Sequence, residues 1–348
     1  MTGSGLKNSI RCEGSAGPPA ALLRRALGWL EPVYRAAVKR RNRRFDRNPG
    51  KVIRVPVPVI SVGNLTTGGT GKTPVVGWLI RLLQEAGRHP GIVSRGYGRV
   101  GSQPNDEARE LALDLPDTPH LQDPDRVAAA RQAISRFGVD CLVMDDGFQH
   151  RRLHRDLDLV LIDATCPFGY EHLLPRGLLR EPLSSLARAD AVILTRVNQV
   201  SREEVTAIRQ RVIAELSAGQ IAEAEFVPDQ WREPGGGTHA IERLGGQRVL
   251  AFCGIGNPQA FRRALGEQLL EVIDFVAFPD HHAFDNPDLA RLASRARAGG
   301  ATALVCTVKD LVKIRDLEAP PVPVWALGQR TGFRAGERVL RDRVLQVF

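Results

Sequence analysis

Cysteine is scarce here: five in 348 residues (Cys12, Cys141, Cys166, Cys253 and Cys306), odd in number, scattered and without a Cys-x-x-Cys pair. That excludes a disulfide framework and a cysteine-built zinc site, and reads as reduced thiols of a cytoplasmic protein. Long hydrophobic runs are also missing. No window approaches the roughly 18 uninterrupted apolar residues of a spanning helix, so no bilayer crossing is expected. The N-terminus lacks an apolar stretch ending in a small-residue cleavage site, which argues against export. What is present, 43% hydrophobic and 25% charged residues, suffices for a sizeable core and about two domains.

The net charge of +9 sits in one place. Between Ala20 and Arg54 there are eleven Lys and Arg against two acids, Glu31 and Asp46, so this segment carries as much net charge as the whole chain. At 100° per residue, Leu22, Leu23, Ala26, Leu27, Leu30, Val33, Tyr34, Ala37 and Val38 share a stripe about 160° wide. Arg24, Arg25, Glu31, Arg35 and Lys39 fall on the other side. Such a helix, with Trp29 at the boundary, suits an anionic membrane interface. Each Lys or Arg there adds about 1 kcal/mol of attraction. The competing reading is a helix packed on its own domain with a solvated basic face. A nucleic-acid arm is disfavoured, because no aromatics interleave the basic residues to stack on bases. Residues 1–18 are Gly/Ser-rich and read as a disordered tail.

After Asn48-Pro49-Gly50 the pattern becomes strand and helix in alternation. Val55–Val62 is β-branched, with Pro56 and Pro58 tolerable only near a strand start. Pro74–Ala86 has helical apolar spacing. Short apolar runs follow at Gly91–Val93, Cys141–Met144, Leu157–Ile162 and Ala191–Leu194, with a helix-length segment at Arg126–Phe137. Glu233-Pro234-Gly235-Gly236-Gly237 interrupts the series. A second set begins at Arg248–Cys253 and continues at Asp274–Phe278, Ala303–Cys306 and Val322–Leu327. The expectation is an α/β protein, a mostly parallel sheet with helices on both faces, plus a smaller α/β domain. The divisions are a tail at 1–18, a basic helix at 19–48, a first domain at 49–228 and a second at 229–348.

The strongest chemical signal lies between the first strand and helix, in Thr66, Thr67, Gly68, Gly69, Thr70, Gly71, Lys72 and Thr73. A P-loop is written GxxxxGK[ST], and its first Gly falls where this chain has Thr66. The remaining glycines still let backbone N–H groups close around phosphate. Lys72 would then reach the β- and γ-phosphates of a nucleotide and the Thr73 hydroxyl would ligate Mg2+. Pro74 suits the first helical turn. The second signal is Asp145-Asp146-Gly147-Phe148-Gln149-His150 after the run Cys141–Met144. An acid at the C-terminal end of a strand beside a P-loop strand is where a magnesium-holding carboxylate belongs.

These pieces assemble with Ser94-Arg95-Gly96-Tyr97-Gly98, Asp106-Glu107, Arg155-Asp156-Leu157-Asp158, Leu174-Pro175-Arg176-Gly177, Arg180-Glu181-Pro182, Gly254-Ile255-Gly256-Asn257-Pro258, Asp280-His281-His282 and Lys309-Asp310. The ordered set, over roughly residues 20–345, resembles the tetraacyldisaccharide 4'-kinase family of lipid A biosynthesis. The resemblance implies a P-loop NTPase-like fold. It also implies phosphorylation of the 4'-hydroxyl of a tetraacylated glucosamine disaccharide 1-phosphate, with ATP and Mg2+, at the cytoplasmic face of the inner membrane. Carried over by position, Asp106 would be the catalytic acid and His281 its partner. Asp145, Asp146 and Glu181, beside Thr73, would serve magnesium and its water shell. Gly254–Pro258 is a candidate for the nucleotide base or a simple strand-end turn. The partners implied are the lipid disaccharide and an anionic membrane surface, with no nucleic acid and no obligate protein partner.

Three departures stand out. Asn105 replaces a Gly before Asp106, and Asn tolerates a left-handed turn. The stretch from Arg99 to Asn105 is short. Val308 replaces the Glu of a Thr-Glu-Lys-Asp motif. The principal rival is a membrane-associated P-loop switch ATPase of the partitioning type, which carries a Lys where this chain has Thr67 and lacks an acceptor-side Asp/His pair.

Overall fold

A computed structural model describes residues 18–96, 104–217 and 219–348, with side chains from Leu27 onward. The expected tail up to Gly17, the side chains of Leu22, Leu23, Arg24, Arg25 and Ala26, and Tyr97–Gln103 of the short loop lie outside the described residues.

The elements run α1 (Pro18–Asp46), β1 (Val59–Asn64), α2 (Lys72–Glu85), β2 (Pro90–Ser94), α3 (Asp106–Asp114), β3 (His120–Gln122), α4 (Arg126–Phe137), β4 (Cys141–Asp145), β5 (Leu157–Asp163), β6 (Ala191–Thr195) and α5 (Arg202–Glu215). They continue with β7 (Gln220–Arg232), β8 (Thr238–Ala240), β9 (Arg248–Cys253), α6 (Pro258–Gly266), β10 (Glu271–Ala277), α7 (Asn286–Ala298), β11 (Ala303–Thr307), α8 (Val308–Ile314), β12 (Val324–Ala335) and α9 (Glu337–Leu345). They form two compact units. One comprises Met1–Tyr97, Asp117–Glu225 and Thr331–Phe348, the other Gly98–Pro116 and Phe226–Arg330.

In the first unit the strands lie in the order β6-β5-β1-β4-β2-β3, all parallel, with Gln220–Glu223 of β7 added beside β6. The chain fills one side of β1 with β2, β3 and β4, then returns to the other side with β5 and β6. That reversal leaves a crevice at the C-terminal end of β1, the place where open α/β sheets bind ligands. Both faces are covered, which suits strands that are apolar throughout. Val59, Val93 and Leu142 pack against Val127, Ala130 and Ala133 of α4. Val160, Val192 and Leu194 pack against Val205, Ile208 and Val212 of α5. None of the described cysteines is in a disulfide, and Cys141, Cys253 and Cys306 are core side chains.

The second unit has parallel order β10-β9-β11-β12, with β8 antiparallel to Gln230–Arg232 of β7. Leu250, Phe252 and Leu304 meet Leu289 and Leu292 of α7 and Leu311 of α8. On the other face Val249, Ala251 and Val305 meet Phe261 and Leu265 of α6.

Two expectations about organisation change. The chain passes between the units four times, not once, so Asp106–Asp114 belongs with the second unit and Glu337–Leu345 with the first. The Gly/Pro-rich stretch 233–237 is a hairpin turn joining β7 to β8, closed by the Glu233 N–H donating to the Gly237 carbonyl at 2.9 Å. The crossing at 225–226 falls earlier, inside the long strand β7.

Helix α1 divides its residues differently from the simple stripe. Glu31 and Val38 are buried, 5% and 6% exposed, whereas Trp29, Leu30 and Val33 are 82%, 54% and 67% exposed. Glu31, expected on the polar face, points inward because it has partners there. It accepts from the Leu173 N–H at 3.2 Å, lies 3.2 Å from His172 Nδ1 and pairs with Arg35 at 2.8 Å. The helix packs on its own unit through Glu31, Tyr34 and Val38 while Trp29, Leu30 and Val33 stay in water.

Candidate active site

The glycine-loop half of the candidate site starts from backbone. β1 is buried along its length and ends at Asn64. The loop then turns into α2, whose first residue is Lys72, with Gly71 as its N-cap at φ 84°. Gly68 stands at φ 117°. Both conformations strain any residue with a Cβ. The loop leans on the segment after Gly177: the Thr67 N–H donates to the Leu178 carbonyl at 2.8 Å, and the Arg180 N–H to the Leu65 carbonyl at 2.6 Å. The Thr195 hydroxyl at the end of β6 donates to the Thr70 carbonyl at 2.9 Å. The result is a loop fixed on both flanks, with the N-terminus of α2 as a partial positive charge behind it.

Beside it, β4 ends in Asp145, in register with Val62 of β1 and 4% exposed. Gly63 lets the two segments touch: a Cβ there would stand 2.6 Å from Phe148 Cβ and 2.7 Å from its backbone nitrogen. Asp146 follows in the left-handed region at φ 53°. Its carboxylate accepts from Arg180 Nη1 at 2.8 and 2.9 Å and lies 3.5 Å from Lys72 Nζ. Burial raises its pKa, but Lys72 and Arg180 outweigh that and hold it below the ordinary carboxylate range. Arg180 is itself fixed from α1, where the Tyr34 hydroxyl donates to its carbonyl at 3.1 Å.

Glu181, the third acid of the expected metal set, is placed differently. It is fully buried, and its oxygens accept from Arg41, from Asn42 Nδ2 at 3.1 Å and from Arg188 Nη2 at 2.7 Å. Burial opposes its charge, yet Arg188 and Arg41 keep it ionised below the usual range. Two of those partners belong to α1, so Glu181 fastens that helix to the first unit.

The other half is built from side chains on three segments of the second unit. Asp106 opens α3, capped by Asn105, whose side chain accepts from the Ala108 N–H at 3.0 Å. Asn105 is extended at φ −72°, so it serves as a helix cap and not as the left-handed turn expected from its replacing Gly. His281 sits at φ 61°, its N–H donating to the Gly254 carbonyl at 3.1 Å. Its Nδ1 lies 3.8 Å from Asp106 Oδ2, and Lys309 Nζ lies 3.4 Å from its Nε2. An ammonium only donates, so Nε2 accepts from Lys309 and the neutral ring carries its proton on Nδ1, toward Asp106. His281, with Lys313 and Lys309 behind it, holds the Asp106 carboxyl below its ordinary range against the effect of burial.

Lys313 and Asp310, neither assigned a role from sequence, complete this cluster. Lys313 is 8% exposed, 3.9 Å from Asp106 Oδ2 and 3.2 Å from Asp310 Oδ1. Asp310 is fully buried and accepts from the Gly254 N–H at 3.0 Å and the Thr307 hydroxyl at 2.7 Å. Asp310 therefore fixes the loop that carries His281, and Lys313 bridges it to Asp106. The signal was the Lys at i+3 from Asp310 on one helical turn. In the Gly254–Pro258 stretch, Asn257 caps α6 by accepting from the Ala260 N–H at 3.2 Å, which accounts for that residue as a strand-to-helix turn. One turn along α3 from Asp106, Glu110 is pushed up to about 7 by burial.

Residues 23–348 match the profile of the family described as tetraacyldisaccharide-1-P 4'-kinase. A tetraacyldisaccharide 4'-kinase of Syntrophus aciditrophicus (strain SB) is 39% identical over 334 residues, spanning 89% of this chain and 88% of its own length. That of Halothermothrix orenii (strain H 168) is 35% identical over 314 residues, 82% of each. The crystal structure of LpxK from Aquifex aeolicus in complex with ATP is 27% identical, superposes with a TM-score of 0.75 and covers 94% of this chain and 99% of that one. With a P-loop at a sheet switch point in one unit and an Asp–His pair in the other, this chain belongs to the tetraacyldisaccharide-1-phosphate 4'-kinase family.

Proposed function

We propose that the glycine loop and Lys72 hold the phosphates of ATP in the first unit, while Asp106 receives the proton of the acceptor hydroxyl in the second. The chain is an ATP-dependent kinase of the lipid A disaccharide 4'-hydroxyl. The roles of the residues are our reading of it. The sugar oxygen forms a bond to the γ-phosphorus as the bond from that phosphorus to the bridging oxygen of ADP breaks, and the hydroxyl proton goes to Asp106. In a loose phosphoryl-transfer transition state the acceptor loses its proton late, so a carboxylate with a low pKa is an adequate base when well aligned. His281 orients it through Nδ1–H, and Lys309 fixes the ring. The observation that carries this is the Asp106–His281 contact, backed by Lys313 and Lys309.

Magnesium fits the first unit. Among the described residues no three His, Cys, Asp or Glu side chains gather into a cage, and Mg2+ that accompanies a nucleotide needs only one or two protein oxygens beside phosphates and water. The Thr73 hydroxyl and Asp145 are the hard oxygen donors we assign to it. When bound, the ion neutralises charge on the β- and γ-phosphates. Asp146 is engaged by Lys72 and Arg180, and Glu181 by the α1 anchor.

The substrate's acyl chains lie in a bilayer, so the enzyme works at the cytoplasmic face of the inner membrane as a peripheral protein. No described helix is long and apolar enough to cross a membrane. The exposed Trp29, Leu30 and Val33 of α1, followed by its Arg/Lys cluster, support interfacial attachment. A partition-type switch ATPase is disfavoured by the family match and by the acceptor-side pair. Incubation with ATP, magnesium and a tetraacyl disaccharide 1-phosphate should yield the 1,4'-bisphosphate by mass spectrometry. ATP hydrolysis by the folded protein with no phosphorylated lipid would overturn the reading.

A further inference from the structure

An open groove of about 930 Å³ lies in the first unit, where α1 approaches the turn that follows it. It is lined by Ala36, Ala37, Arg40, Arg41, Arg44, Phe45, Gly50, Lys51, Ile53 and Arg152. Two of its cations are already neutralised, Arg41 by Glu181 and Arg152 by Asp125 at 2.7 Å. Arg40, Arg44 and Lys51 face no acidic partner within ion-pair distance among the described residues. The floor is apolar, and the lining contains no carboxylate, amide or hydroxyl side chain. Such a groove offers donors and positive charge to an anion but no side-chain acceptors to a sugar.

The helix supplies the second observation. At 100° per residue, Trp29, Val33, Ala36, Ala37, Arg40 and Arg44 fall within about 100° of one another, a single ridge along α1. Its N-terminal part carries Trp29 and Val33, 82% and 67% exposed; its C-terminal part carries the groove. Apolar surface in line with a cationic recess matches the layout of a phospholipid, acyl chains on one side and phosphate on the other.

We propose that this groove binds the phosphate headgroup of an anionic phospholipid, with Arg40, Arg44 and Lys51 as its ligands and the acyl region against Trp29 and Val33. The inference rests on the membrane-surface reading above and adds a defined lipid site to it, apart from the phosphate-binding loop and from Asp106. It differs from a general attraction of a basic segment to a negative surface, which would respond to the number of charges and not to their position.

The test is flotation of the full chain with phosphatidylcholine vesicles, with and without phosphatidylglycerol. Two variants remove equal charge from the same helix: R40Q/R44Q inside the groove, and K39Q/R43Q one residue back, turned away by about 100°. A third, Ala37→Phe, fills the groove with charge unchanged at an exposed position. The expected result is a loss of affinity for phosphatidylglycerol vesicles at least tenfold greater for R40Q/R44Q than for K39Q/R43Q. Ala37→Phe should also lose affinity, with thermal melts unchanged. Equal losses in the two charge pairs would overturn the site and leave membrane attachment standing. Wild-type protein that ignores anionic vesicles at low salt would overturn both. Inorganic phosphate that raises the melting temperature through Arg40 and Arg44, while the vesicle affinities of all variants agree, would identify a free-anion site and overturn the lipid assignment.

Discussion

The two halves of the chemistry are built by different means. The glycine-loop half, which we propose holds the phosphates, is made mainly of backbone: a strand end, a glycine loop and the first turn of α2, with two positive-φ glycines and the Gly63–Phe148 contact fixing the path. The Asp106 cluster is made of side chains from 106, 281 and 309–313, joined by polar contacts between 3.2 and 3.9 Å. A backbone site tolerates varied neighbours but requires glycine at fixed positions. A side-chain site leaves the fold indifferent to its members and makes function depend on how they hold one another.

The sharpest break of this comparison is Lys72→Ala. The loop keeps its path, so the melting temperature should hold, while phosphate transfer falls about a thousandfold, the upper range for one electrostatic donor. Near-normal turnover in a folded variant would remove Lys72 from the phosphate site. On the acceptor side, Asp106→Ala should lower kcat by about 10²–10⁴ with ATP affinity unchanged, the range for general-base catalysis. His281→Ala should cost less, and the double variant less than the product of the two, as for residues acting as a unit. Multiplicative losses would show that they act separately.

A smaller effect probes what stands behind the pair. Lys313→Met removes a cation that lowers the Asp106 pKa, so the deprotonated base should be lost at a higher pH than in the wild type. The acid limb of kcat/KM should move upward, with kcat at high pH reduced only a few-fold. His281, Lys309 and Lys313 all face Asp106, and Glu110, near pH 7 itself, is the competing owner of that limb. Glu110→Gln should leave the limb in place if Asp106 sets it. The smallest effect concerns stability. His120, beside Ser94 Oγ at 2.9 Å, is lowered to about 4 by burial, whereas an unfolded histidine titrates near 6.5. Its contribution is complete above about 6.5 and is lost as pH falls toward 4, because protonation then favours the unfolded chain. His120→Gln should flatten the fall in melting temperature over that window.

The same contrast explains what the sequence revealed. Strands at 141, 157, 191, 248 and 303 and the helix at 126–137 were legible because apolar runs bounded by polar turns admit few other structures. The P-loop and Asp145 were legible because they are contiguous in sequence. β7 was missed: Gln220–Arg232 mixes Glu, Asp and a Pro with its apolar residues, and only part of it is buried. α3 was missed although Asn105 and the acids after it make an ordinary N-cap. Asp106 and His281 were reached through family resemblance alone, since nothing local distinguishes them from loop residues 175 positions apart. Glu31 was misassigned because periodicity records polarity and not partners, and its partners at 172–176 are remote in the chain.

The division of the chain into segments has a consequence for biosynthesis. The first unit receives its final pieces from residues 331–348: Phe333 against Trp78 at 4.9 Å, and α9 with Leu340 and Val344 buried. A ribosome that has released residues 50–225 has delivered the P-loop and most of its sheet, yet not the helix that closes it. Its folding is therefore suspended through synthesis of the whole second unit, about a hundred residues, or five to twenty seconds at typical elongation rates. For that interval the nascent chain holds most of the first unit's sheet without α9, so the apolar surface that Leu340 and Val344 cover in the finished protein stays open until the last residues are made.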